Sequence, residues 1–97
     1  MDNRLEIPDY LQISNPKEVK EILILLKEVV KKRILKQYWN NDIIGVTRER
    51  IEELNVFGPY PDVIILNFED LHSGSRYELS VDTYHGSGGE WSILKDE

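Results

Sequence analysis

Two hydrophobic periods divide the chain. From Asn15 to the late thirties apolar residues recur every three or four positions, and from Asp62 onward they recur every second one. With each residue placed about 100° from the last, Val19, Ile22, Leu23, Leu26, Val29, Val30 and Ile34 share a stripe roughly 140° wide, as expected for a helix lying on a core. Asn15 suits the N-cap, Pro16 the first helical position, and Glu18 the carboxylate of a capping box. Lys31, Lys32, Arg33 and Lys36 crowd the last turns, where the helix dipole favours cations. Asn40-Asn41-Asp42 is expected to end the helix. Ile24, Leu25 and Leu35 fall off the stripe, so the back of the helix should be partly covered.

The middle of the chain is more broken. Ile43-Ile44-Gly45-Val46 reads as a short strand, and Thr47 as a second N-cap with Val46 and Ile51 placed for a hydrophobic staple. A short helix over 48–54, with Ile51 and Leu54 on its apolar edge, would stop at Asn55 in a left-handed conformation. Phe57-Gly58-Pro59-Tyr60-Pro61 is a loop, because its two prolines and glycine forbid regular structure.

In the last third, Ile64, Leu66 and Phe68 alternate in one strand, Tyr77, Leu79 and Val81 in a second, and Trp91 and Ile93 in a third. A four-residue loop, Leu71-His72-Ser73-Gly74, would set Phe68 opposite Tyr77, Leu66 opposite Leu79 and Ile64 opposite Val81, with Glu69 facing Arg76 on the other side. The competing two-residue turn at Ser73-Gly74 would oppose Glu69 to Glu78, a like-charge pair that cross-strand energetics disfavour. A second hairpin through His85-Gly86-Ser87-Gly88-Gly89 would set Thr83 opposite Trp91 and Val81 opposite Ile93. The expected fold is α+β: a long N-terminal helix packed across an antiparallel meander of three strands (four if 43–46 joins) and a short second helix, in one domain spanning 1–97.

Composition narrows the function. The chain has 97 residues and no cysteine, which removes disulfides, thiolate metal sites and cysteine nucleophiles. A net charge of −6 argues against general nucleic-acid binding. That charge is uneven: residues 17–37 carry seven basic residues against three acidic ones, and the remainder five against fifteen. The basic run reads first as a solvated, dipole-matched helix end, with an anion or nucleic-acid patch as the alternative. The longest apolar run, Ile22 to Leu26, has five residues where a membrane span needs about 20. The first residues lack the basic start and apolar stretch of a signal peptide, so a cytoplasmic location is expected.

Candidate chemistry is sparse. His72 and His85 would lie at opposite ends of one strand, too far apart to share a metal or a proton. The acidic pairs Glu52-Glu53, Glu69-Asp70 and Asp96-Glu97 are adjacent in sequence and so point apart. No spacing suggests a metal, a cofactor or a catalytic dyad, and the chain is expected not to be an enzyme. Tyr84-His85-Gly86-Ser87-Gly88-Gly89 gathers an imidazole, a hydroxyl and glycine amides that could form an anion nest, but it lacks dinucleotide, P-loop and nucleophile-elbow spacing. A ligand site at His85, Ser87, Gly88 and Gly89, a weak hydrolase at most, is therefore the alternative reading.

The leading one rests on the outer sheet face, which should display Val63, Ile65, Asn67 and Glu69, then Arg76, Glu78, Ser80, Asp82 and Tyr84, then Glu90, Ser92 and Leu94. A purely solvated face would not need Val63, Ile65 and Leu94. Either the N-terminal segment, with Leu5, Ile7, Tyr10 and Leu11, folds over it, or it binds a protein. The expected partner-binding residues are Glu69, Arg76, Glu78, Asp82, Tyr84, Glu90, Val63 and Ile65, and the partner a basic protein. A homodimer or homo-oligomer through the same face is a further reading. In size, charge and architecture the chain is similar to bacterial immunity proteins, small acidic chains that neutralise nuclease toxins by covering basic active sites; the likeness carries no motif, so no residue roles follow from it.

Overall fold

The computed structural model describes residues 7–39, 50–86 and 88–94. The elements run β1 (Tyr10–Ile13), α1 (Pro16–Lys31), β2 (Leu35–Tyr38), a single 3-10 turn (Ile51–Glu53), β3 (Val63–Asp70), β4 (Arg76–Asp82) and β5 (Gly88–Leu94). All described strands form one antiparallel sheet in the order β1-β5-β4-β3-β2. The α+β class is as expected. The helix, however, follows a strand and has sixteen residues, and the described sheet has five strands. The expected strand at Ile43–Val46, the Thr47 cap, Leu5 and Ser87 lie outside the described residues.

The helix begins as its sequence dictates. Asn15 Oδ1 accepts from the Glu18 amide at 2.9 Å, and Glu18 reaches back to accept from the Ser14 amide at 2.8 Å. Val19, Ile22, Leu23, Leu26 and Val29 are buried, so the stripe is the packed face. The end differs from expectation. The Arg33 amide donates to Val30 O and the Ile34 amide to Val29 O at 2.8 Å, with Arg33 left-handed at φ 60°. This is a Schellman stop built without glycine. It turns Leu35 and Lys36 out of the helix into β2, which pairs Leu35 with Asp70 and Lys36 with Glu69. Leu35 is off the helical stripe because it is a strand residue, buried in the same core.

Helix 48–54 is also corrected. Among its described residues, 50–54, Arg50 is extended and only Ile51–Glu53 turns; Ile51 and Leu54 are buried all the same. Asn55 does not take up a left-handed stop; its Oδ1 accepts from the Phe57 amide at 2.9 Å.

The first hairpin has the expected register, with Phe68 opposite Tyr77 and Glu69 opposite Arg76, and Gly74 turns at φ 80°. Asp70 anchors this turn by accepting from the amides of His72 and Ser73 at 2.8 and 3.1 Å. In the second hairpin Trp91 lies opposite Leu79 and Ile93 opposite Tyr77, four positions from the expected pairing. The shift is even, so every side chain keeps its face. Its cause is Gly88 and Gly89, which stand in β5 opposite Asp82 and Val81, not in the loop. A Cβ on Gly89 would meet the Ser80 carbonyl oxygen at 2.0 Å, so the chains approach there as only glycine permits.

β1 extends the sheet beside β5. Ile7 packs against the helix-side core, and the Pro8 carbonyl accepts from the indole of buried Trp91 at 2.8 Å. The described part of the N-terminal segment therefore lies in the sheet and on its helix side, and does not fold over the outer face.

Candidate interaction face

Strand alternation and register lay the outer face out in four rows running across the sheet. Gly88, Asp82 and Val63 form the first; Gln12, Glu90, Ser80 and Ile65 the second. Tyr10, Ser92, Glu78, Asn67 and Tyr38 form the third, and Leu94, Arg76, Glu69 and Lys36 the fourth. The face thus gathers seven of the eight expected partner-binding residues. Tyr84 is the exception: β4 ends at Asp82, and Tyr84 sits in the following turn, 71% exposed, its ring edge-on to His85 with centroids 4.8 Å apart.

The charges are graded along the strands. In the fourth row Arg76 Nε lies 3.2 Å from Glu69 Oε1, and Lys36 stands opposite Glu69 in the ladder. Arg76 also lies over the Tyr38 ring, 5.0 Å from its centroid. The third row is a polar relay. Asn67 Nδ2 donates to Glu78 Oε2 at 3.2 Å, and Asn67 is only 4% exposed although it points away from the core. Burial raises the Tyr38 hydroxyl above its ordinary pKa, against the opposing influence of Arg76. Beyond this row, Glu90 and Asp82 flank Ser80, Ile65 and half-exposed Val63, with no lysine or arginine in either row.

Asp82 organises the corner where Tyr84 sits. Its Oδ1 accepts from the amides of Tyr84 and His85 at 3.0 and 3.1 Å, and its Oδ2 lies 2.7 Å from His85 Nδ1. The His85 hydrogen bond holds the Asp82 carboxyl below its ordinary pKa. Tyr84 is tied down as well, its amide donating to Asp62 O, while the Thr83 hydroxyl donates to Pro61 O.

The alternative ligand site is dispersed by the same geometry. His85 remains in the turn, and Gly86 supplies its left-handed step at φ 115°. Gly88 and Gly89 belong to the β5 ladder and do not form a loop nest.

The sequence reading missed the residues that the two edge strands add: Tyr10 and Gln12 from β1, and Lys36 and Tyr38 from β2. The off-stripe position of Leu35 was the available signal that the helix had already ended. Among the described residues no helix is long and apolar enough to cross a membrane. Comparisons with protein-family models, curated proteins and solved structures gave no match.

Proposed function

We propose that this chain is a small acidic interaction module without chemistry of its own, which binds a basic protein partner through the outer face of its sheet. One observation carries the reading: Glu90 and Asp82 stand around Ile65 and Val63 at one end of the face, with Glu78 in the next row, while the cations that the described strands place on it, Arg76 and Lys36, are confined to the row at the other end. That end suits a partner presenting lysines and arginines around an apolar contact. The carboxylates steer the encounter, and burial of Val63, Ile65 and the neighbouring Tyr84 holds the complex. Glu69 contributes less than composition suggests, because Arg76 and Lys36 already stand against it.

The test is capture from the native host on the immobilised chain, followed by kinetics with the purified partner. Glu78→Lys with Asp82→Lys should slow association and weaken its salt dependence, because both charges lie on the steering surface. Tyr84→Ala should chiefly speed dissociation, as expected of an anchor that is engaged after docking. A partner whose rates ignore all three substitutions would refute this use of the face.

A further inference from the structure

We propose that a groove at the C-terminal end of α1 binds a free mononucleotide. The groove has a volume of about 320 Å³ and is bounded by the helix end, β2 and the start of the 3-10 turn. Arg33, Lys36 and Arg50, which come from these three segments, all line it, against Glu52 as the carboxylate at its wall. Trp39 lines it too and is 45% exposed, and Leu71 also lines it.

Each feature fits one part of a nucleotide. Arginine guanidinium groups match phosphate oxygens with paired donors, and the lysine adds a point charge. An exposed indole offers a stacking surface for a base, which its π-face accepts with little regard to base identity. The volume lies at the lower end of small-molecule sites, suited to one nucleotide and not to a dinucleotide cofactor. The two arginines are also available: among the described residues neither Arg33 nor Arg50 is in an ion pair, whereas Lys36 stands opposite Glu69 in the ladder and neighbouring Lys32 is held by Glu28 at 3.3 Å.

The backbone supplies an independent argument. Arg33 occupies the left-handed position that ends the helix, at φ 60°, where glycine would sit without strain. An arginine there is unfavourable for the turn, yet the residue lines the groove. The conformation itself serves the helix stop, and such strained positions cluster at functional sites, which accords with a binding role for the side chain. The acidic balance of the chain outside residues 17–37 disfavours a long polyanion, so the ligand is a free nucleotide and not a nucleic-acid strand.

Tryptophan emission gives a direct readout, because Trp91 is fully buried and Trp39 is exposed to an added ligand. Titration with adenosine monophosphate should quench the exposed emission saturably, and calorimetry should give the same affinity. Adenosine and inorganic phosphate should each bind at least about tenfold more weakly, since each lacks one half of the recognition. Arg33→Gly removes the guanidinium while leaving the backbone a residue suited to its φ. It and Arg50→Gln should each weaken binding about tenfold with the near-ultraviolet circular dichroism retained. Lys32→Ala removes the same charge outside the groove and should change affinity less than about twofold. Absence of saturable binding at millimolar nucleotide would overturn the proposal. So would equal losses from Arg33→Gly and Lys32→Ala, or phosphate binding as tightly as the nucleotide. A short single-stranded oligonucleotide that binds more tightly than the mononucleotide would overturn the assignment to a free nucleotide.

Discussion

The Trp91 indole lies flat against the Tyr77 ring, their centroids 5.0 Å apart and their planes within 8°. These residues are diagonal neighbours on the core face of β4 and β5, and Phe68 of β3 meets the same indole at 5.9 Å. Through its Nε1–H, Trp91 also holds the Pro8 carbonyl that leads into β1. One side chain thus joins three strands and the entry to a fourth. Trp91→Ala should cost roughly 3–5 kcal/mol, the range for a buried aromatic truncated in a core. Trp91→Phe keeps much of the apolar contact and loses the donor, at about 1–2 kcal/mol. Urea unfolding of both variants checks the ranking, and equal losses would show that the hydrogen bond outweighs the packing.

Acid should weaken the Asp82 corner in a definite direction. The folded carboxyl sits below the ordinary range because His85 hydrogen-bonds its charged form, so the folded state binds this proton less readily than the unfolded chain. Its contribution is complete above the unfolded value of about 3.9 and is lost as pH falls through the lower folded value. The stability difference between the parent and Asp82→Asn should therefore be constant near neutrality and shrink on acidification below about pH 4. Carbon NMR titration of the Asp82 carboxyl supplies the complement. His85→Ala should move its midpoint upward, and an unmoved midpoint would reject the pairing.

What could be read in the sequence depended on whether neighbours along the chain carried the signal. The helix stripe and first hairpin were legible because 3.6- and two-residue periods are local, and the Glu69–Arg76 against Glu69–Glu78 comparison fixed a register by charge alone. The second register failed at Gly88 and Gly89, since turn chemistry assigns glycine to loops while a close interchain approach shows only in three dimensions. Strands β1 and β2 have four residues each, too short to establish a period. The partner face was therefore legible at its centre, β3 to β5, and not at its edges. Arg33 and Lys36 were legible as part of a basic run with an anion patch as its alternative reading, but the groove was not, because they meet Arg50 only once the helix stops at Lys31.

The two adjacent glycines of β5 should respond oppositely to the same methyl group. A Cβ at Gly88 meets nothing within 4 Å, whereas at Gly89 it would lie 2.0 Å from Ser80 O and 2.7 Å from Val81 Cα, both backbone atoms. Gly88→Ala should change stability by less than about 0.5 kcal/mol. Gly89→Ala must push two strands apart and should cost at least roughly 1–3 kcal/mol. Thermal melts of the pair settle the β5 register, since the expected loop placement would make both substitutions mild.

The helix stop can be tested by separating conformation from charge at Arg33. A left-handed residue bearing a Cβ costs roughly 1–2 kcal/mol, and glycine escapes that cost but loses about 0.5–1 kcal/mol to its greater freedom in the unfolded chain. Arg33→Gly and Arg33→Ala both remove the same favourable charge from the helix C-terminus, so their difference isolates the backbone. Glycine should be more stable than alanine here by about 0.5–1 kcal/mol, the reverse of their order inside a helix, where alanine leads by about 1 kcal/mol. Urea midpoints for the two variants give that sign directly. Alanine ahead of glycine would mean that the helix runs on through Arg33 into residues 34–36, taking Leu35 and Lys36 out of β2 and off the sheet.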